Sequence, residues 1–86
     1  MDKNWSISLE HEEYENDKDL VIKNAINAVE QTGPQFYVNI VTPAAFGEPD
    51  SYLAPALTNY FGETINQKFI DQCGCGGFVL RVWKNS

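Results

Sequence analysis

The sequence predicts a two-layer α/β (α+β) sandwich of order βαβαββ, with a four-stranded mixed sheet and two helices on one face. Three observations lead there. Four segments carry apolar residues at strand spacing and two carry them at helical spacing. The segments alternate strand, helix, strand, helix before ending in two strands in succession. Those last two strands are separated only by Cys73–Gly77, which is rich enough in glycine to reverse the chain. Each βα unit returns a strand parallel to its predecessor by a right-handed crossover, which puts both helices on one face and leaves the last pair as an antiparallel hairpin. At 86 residues the chain is expected to form one domain, 1–86.

The first strand is Trp5-Ser6-Ile7-Ser8-Leu9, whose alternation puts Trp5, Ile7 and Leu9 on one face. An acidic stretch follows, and Asp17 or Asp19 then caps a helix to about Gln31, with Val21, Ile22, Ala25, Ala28 and Val29 at helical spacing. Thr32-Gly33-Pro34 stops it, with Gly33 expected in the left-handed turn and Pro34 barring continuation. Residues Gln35 to Thr42 are β-branched and aromatic on both sides, the pattern of a central strand. Pro43 to Pro49 is expected as a loop. Asp50 or Ser51 then caps a second helix, with Leu53, Ala56, Leu57, Tyr60 and Phe61 on its apolar face and Pro55 in or near the first turn. Gly62 ends this helix. Ile65–Gln72 and Phe78–Lys84 are the last two strands, the second placing Phe78, Leu80 and Val82 opposite Val79, Arg81 and Trp83. The element order recurs in unrelated small domains and by itself carries no function.

Twelve acidic against six basic side chains give a formal charge of −6, which disfavours nucleic acid and anionic membrane surfaces as partners. No stretch approaches the roughly 20 apolar residues of a membrane span, and the N-terminus lacks the apolar run of a signal peptide, so a cytoplasmic location is expected. Glu10, Glu12, Glu13, Glu15, Asp17 and Asp19 concentrate the negative charge. A solvated loop explains such a run, and docking of a basic partner, with Glu12, Glu13 and Glu15 as its contacts, is the functional alternative. His11 within that run reads as a solvated residue. Val79 and Trp83 leave an apolar patch on whichever face the helices do not cover, consistent with a monomer or a weak homodimer.

The chemistry-bearing motif is Gln72-Cys73-Gly74-Cys75-Gly76-Gly77-Phe78, which holds both cysteines and three of the six glycines. A redox or nucleophilic thiol needs a cation, a helix N-terminus or a base. Here the charged neighbour is Asp71 and His11 is remote in sequence. A disulfide between Cys73 and Cys75 would close so short a ring that it would be strained and easily reduced. As metal ligands, Cys73 and Cys75 supply two thiolates, too few for a closed zinc site without His11, carboxylates or a second chain. A plain glycine turn accounts for the glycines but not for two cysteines in a chain with no others. These alternatives stay open on the residues alone.

Cys73-Gly74-Cys75-Gly76-Gly77 near the C-terminus of a small acidic chain resembles the defining motif of the CGCGG family of radical-SAM-modified ribosomal peptide (RiPP) proteins. The opening NWSISLE, the segment DLVIKNAINAVE and the hairpin context QCGCGGFVLRV are similar to that family as well. The resemblance implies a substrate protein rather than an enzyme, with a radical SAM maturase as partner. It implies Cys73, Gly74, Cys75, Gly76 and Gly77 as the modification region, and no cofactor of the chain's own. Two cysteines also fall short of the four thiolates that usually hold an iron–sulfur cluster. Ahead of the motif lies a patterned domain, expected to act as the handle that presents it.

Overall fold

A computed structural model describes residues 3–9, 14, 17–43, 46–72 and 77–85. The elements are β1 (Trp5–Ser8), α1 (Lys18–Gln31), β2 (Tyr37–Thr42), α2 (Pro49–Phe61), a 3-10 turn (Gly62–Thr64), β3 (Ile65–Gln72) and β4 (Phe78–Lys84). The sheet runs in the order β1-β2-β4-β3. β1 pairs parallel with β2, while β4 lies antiparallel to both β2 and β3. The expected mixed four-stranded sheet with two helices is therefore present.

Helix α1 starts where its sequence offers a cap: Asp17 accepts the Leu20 backbone N–H at 3.0 Å, and Asp19 places a negative charge in the first turn. Val21, Ala25, Ala28 and Val29 form its buried stripe. At the other end the buried Thr32 hydroxyl donates to the Ala28 carbonyl at 2.8 Å and accepts the Trp5 indole N–H at 2.9 Å, joining the helix end to the edge strand β1. The last turn has no basic residue of its own, and Lys84 of β4 supplies one by donating to the Glu30 carbonyl at 3.1 Å.

The reversal after α1 differs from the expectation of a left-handed Gly33. The positive φ falls on Gln35, at 72°, and Phe36 N–H donates to the Gly33 carbonyl at 3.1 Å. With Pro34 at the second position and the positive φ at the third, this is the pattern of a type II turn. Gln35 N–H and Lys84 N–H both pair across to the neighbouring strand, on Lys84 O and Phe36 O respectively, so the turn is held by the sheet.

Helix α2 also departs from the sequence reading. It begins at Pro49, with Glu48 in the cap position and no side-chain cap bond, so neither Asp50 nor Ser51 is the cap. Proline needs no N–H at the first helical position, which lets the helix start inside the expected loop. The Ser51 hydroxyl instead donates back to the Glu48 carbonyl at 2.7 Å. The earlier start moves Pro55 into the second turn, opposite the Ser51 carbonyl; both residues are exposed, so water can take the place of the missing N–H. Leu53 and Leu57 are buried, but Tyr60 is 59% exposed rather than core-facing. Its ring meets Phe61 edge-on at 4.8 Å and its hydroxyl donates to the Glu30 carboxylate at 3.3 Å, tying the two helices together. Gly62 then ends the helix at φ 64°.

β3 and β4 have the expected boundaries, with one irregularity: Phe69 faces Leu80 and Asp71 faces Val79, leaving Ile70 without a partner as a β-bulge. The Gln67 amide donates to the Ala54 carbonyl at 3.2 Å and to the Thr58 hydroxyl at 2.8 Å, fastening β3 to α2. The core lies between sheet and helices, built from Leu9, Val38, Ile40, Ile65, Leu80 and Val82 below and Val21, Ala25, Ala28, Val29, Leu53 and Leu57 above. Ile7 packs against it from the edge strand, half-buried.

Positive φ is strained for residues with a Cβ and worst for β-branched ones. Gln35→Gly is expected to change stability by less than about 1 kcal/mol, relief of strain offsetting the added entropy of the unfolded chain. Gln35→Val is expected to fall about 1–2 kcal/mol below the glycine variant, measured as urea-denaturation midpoints.

Candidate functional site

β3 and β2 both run antiparallel to β4, and β1 is parallel to β2, so β1, β2 and β3 point the same way. The chain therefore leaves all three at one end of the sheet and enters β4 at that end. Two rows of the ladder mark it: Ser8, Val41, Val79 and Asp71 in register, then Thr42, Phe78 and Gln72. Leu9 N–H extends the first row by donating to the Val41 carbonyl at 2.7 Å. Lys18, the first residue of α1, stands over the rings of Phe46 and Tyr52 at 5.7 and 5.1 Å, bringing the N-termini of both helices to this same end. In sheets of this kind the C-terminal ends of parallel strands are where sites are built, because loops and helix N-termini converge there.

The side chains at this end form a fixed root beneath the β3–β4 connection. Thr42, fully buried, donates its hydroxyl to the Phe78 carbonyl at 3.3 Å. The Phe78 ring lies 5.8 Å from that of Phe69, and Gly77 is buried. Tyr52, in the first turn of α2, meets Phe46 edge-on at 6.0 Å. Its hydroxyl is buried near Thr42 and has no hydrogen-bond partner among the described residues. Burial pushes the Tyr52 phenol above its usual pKa, and the nearby Thr42 hydroxyl offsets part of that.

Of the residues singled out from sequence, Gly77 lies within this root, while Cys73, Gly74, Cys75 and Gly76 lie outside the described residues. So do His11, Glu12, Glu13 and Glu15, although Leu9 and Asp17, which flank them, are described. Among the described residues there is no cluster of three or more His, Cys, Asp and Glu suited to a metal ion, and no helix long and apolar enough to cross a membrane. Sequence reasoning missed Lys18, Thr42 and Tyr52 as residues gathered at this end of the sheet. A signal for Thr42 was present: it continues the alternation of Val38 and Ile40, which marks it as a core-facing hydroxyl in need of an acceptor.

A family profile described as "Putative radical SAM target protein" matches residues 1–85. Neither the curated proteins nor the solved structures contain a significant match.

Removing the two hydroxyls at the root should have opposite consequences. Thr42→Val leaves the shape and deletes a satisfied hydrogen bond, for an expected loss of about 1 kcal/mol. Tyr52→Phe deletes an unsatisfied hydroxyl and should be neutral or stabilising by up to about 1 kcal/mol. Because the folded state holds the Tyr52 proton to higher pH than the unfolded chain does, its contribution is complete below the unfolded pKa of 10.0 and is lost as pH rises through the raised value. Denaturation at about pH 8 and about pH 11 should therefore show less alkaline destabilisation in Tyr52→Phe than in the parent.

Proposed function

The chain belongs to the radical SAM target family that matches residues 1–85, and from that premise we propose that it is a non-enzymatic substrate protein, a RiPP precursor, which displays Cys73-Gly74-Cys75-Gly76-Gly77 to a radical SAM maturase. The observation that carries this reading is the extent of the match, which takes in the folded elements together with the motif. The hairpin supports it. Gln72 and Phe78 form the last pair of the β3–β4 ladder, so residues 73–77 are the connection between them, rooted on Thr42 and Phe69. Cysteine sulfur can form crosslinks, and glycine offers an unhindered Cα–H to radical abstraction. A connection projecting from a rigid sheet is readily delivered to another protein's pocket. Paired thiols are compatible with a reducing compartment, and we place the reaction in the cytoplasm. The acidic run with Glu12, Glu13 and Glu15 follows Leu9 in sequence and is proposed as a contact for a basic part of the maturase.

Co-expression with the maturase followed by intact-mass measurement under reducing conditions is the direct test. A loss of hydrogens or a gained crosslink localised by fragmentation to residues 72–78 is expected. An unchanged, reducible mass with bound metal would instead favour a thiol redox or metal-binding protein acting through Cys73 and Cys75.

Changing both Cys73 and Cys75 to Ser should leave a cooperatively folding domain within about 1 kcal/mol of the parent, as for other substitutions outside the core. Loss of cooperative unfolding would mean that the cysteines are structural. The whole domain should also bind the maturase more tightly than a free peptide of residues 70–80, since the flanking strands are already ordered. Equal affinities would remove the folded domain from recognition. An unaffected affinity at low salt after Glu12, Glu13 and Glu15 are changed to Gln would remove the acidic run.

A further inference from the structure

The helices cover only one side of the sheet. On the other side, β2 and β4 bring together Tyr37, Val41, Val79, Arg81 and Trp83, all half-buried, with Lys68 of β3 exposed beside them. Arg81 is held in the middle: its guanidinium carbon lies 4.3 Å from the Tyr37 ring centroid and 5.8 Å from that of Trp83, and its Nε donates to the Asn39 side-chain oxygen at 2.8 Å. Tyr37 and Trp83 meet edge to face at 6.1 Å. Lys68 sits directly across the ladder from Arg81. Two like charges opposed in this way destabilise a sheet slightly, and among the described residues neither is paired with a carboxylate. In a chain of net charge −6, this sets two cations side by side among aromatic and aliphatic side chains, with Asp71 in register with Val79 farther along the same face.

Arginine, tyrosine and tryptophan are the residues enriched where protein interfaces gain most of their affinity. The occupant follows from the charge. A second copy docked face to face would set this patch, with its two cations, against the same patch, because a two-fold interface is self-complementary. A surface that offers carboxylates between apolar groups is the complement. The face also reaches the candidate site, since Val41 and Val79 stand in the ladder row next to Thr42 and Phe78. We propose that this uncovered sheet face, centred on Arg81 and Lys68, is the surface by which the chain docks on an acidic, partly apolar face of its maturase, leaving the β3–β4 connection at the edge of the contact. The proposal rests on the substrate reading above and extends it with a recognition surface distinct from the acidic run.

The test uses the full chain and the purified radical SAM maturase, reading both binding affinity and modification rate. Lys68→Glu, at an exposed position, and Arg81→Gln should each weaken binding about ten-fold or more, raising KM with little change in kcat, and the effect should shrink at high salt. Lys23→Glu, the same charge change on the exposed side of α1, should stay within about two-fold of the parent. Thermal melts of Lys68→Glu should match or slightly exceed the parent, since the new carboxylate faces Arg81 across the ladder, separating lost docking from lost fold. The parent should sediment as a monomer. A parent that is modified while Lys68→Glu and Arg81→Gln bind as tightly as Lys23→Glu overturns this docking surface and leaves the substrate reading intact. A dimer that Lys68→Glu dissociates overturns it in favour of self-association, and a parent that the maturase neither binds nor modifies overturns both.

Discussion

β4 pairs along both of its edges, and the rest of the structure depends on that. Its register with β2 runs from Tyr37–Trp83 to Thr42–Phe78, and its register with β3 runs from Ile65–Lys84 to Gln72–Phe78. Without it the β1–β2 pair and β3 would be separate pieces, with no continuous floor for the helices. Because β4 is the last strand in sequence, the sheet is completed only when the C-terminal segment inserts between partners formed earlier in the chain. A strand in that position is flanked on both sides, which is why Phe78–Lys84 carries apolar or aromatic residues on both faces where an edge strand would carry polar ones.

The same strand secures the far end of the molecule. Lys84 ends β4 and caps α1 through the Glu30 carbonyl, while its backbone closes the turn at Gln35 and Phe36. Trp5 and Thr32 make a second tie at this end, between β1 and α1. These contacts join residues far apart in sequence, so each closes a long loop and is favourable only in a chain already brought together by core burial. Gln35 tolerates its positive φ for this reason: the ladder bonds on either side over-determine its conformation.

The opposite end is organised differently. Strands β1, β2 and β3 all end there and both helix N-termini lie there, and the contacts among the described residues at the foot of the β3–β4 connection include the Thr42 hydroxyl on the Phe78 carbonyl and the Phe69–Phe78 ring contact, with Gly77 buried. This arrangement belongs to a chain of the radical SAM target family. It also leaves the two sides of the sheet distinct, one buried under the helices and the other carrying Arg81 beside the Tyr37–Trp83 ring pair.

Periodicity and capping chemistry are local, and whatever they control was legible in the sequence. The boundaries of β3 and β4, the cap at Asp17, the buried stripe of α1, the stop at Gly62 and the mixed α/β architecture all follow from residues within a few positions of one another. The motif on which the sequence resemblance rests is equally local, five consecutive residues from Cys73 to Gly77. Where two local signals competed, sequence was a poorer guide: Pro49 displaced Asp50 and Ser51 at the start of α2, and Gln35 rather than Gly33 took the positive φ. Strand order, the residues Thr42, Tyr52 and Lys18 at this end of the sheet, and the contacts of Arg81 with the Tyr37 and Trp83 rings were decided only by tertiary structure. The physical reason is that a strand's own pattern records how many of its faces are buried but not which strand lies beside it. Inserting β4 between β2 and β3 is what brings side chains some forty positions apart, Asn39 and Arg81 among them, into contact.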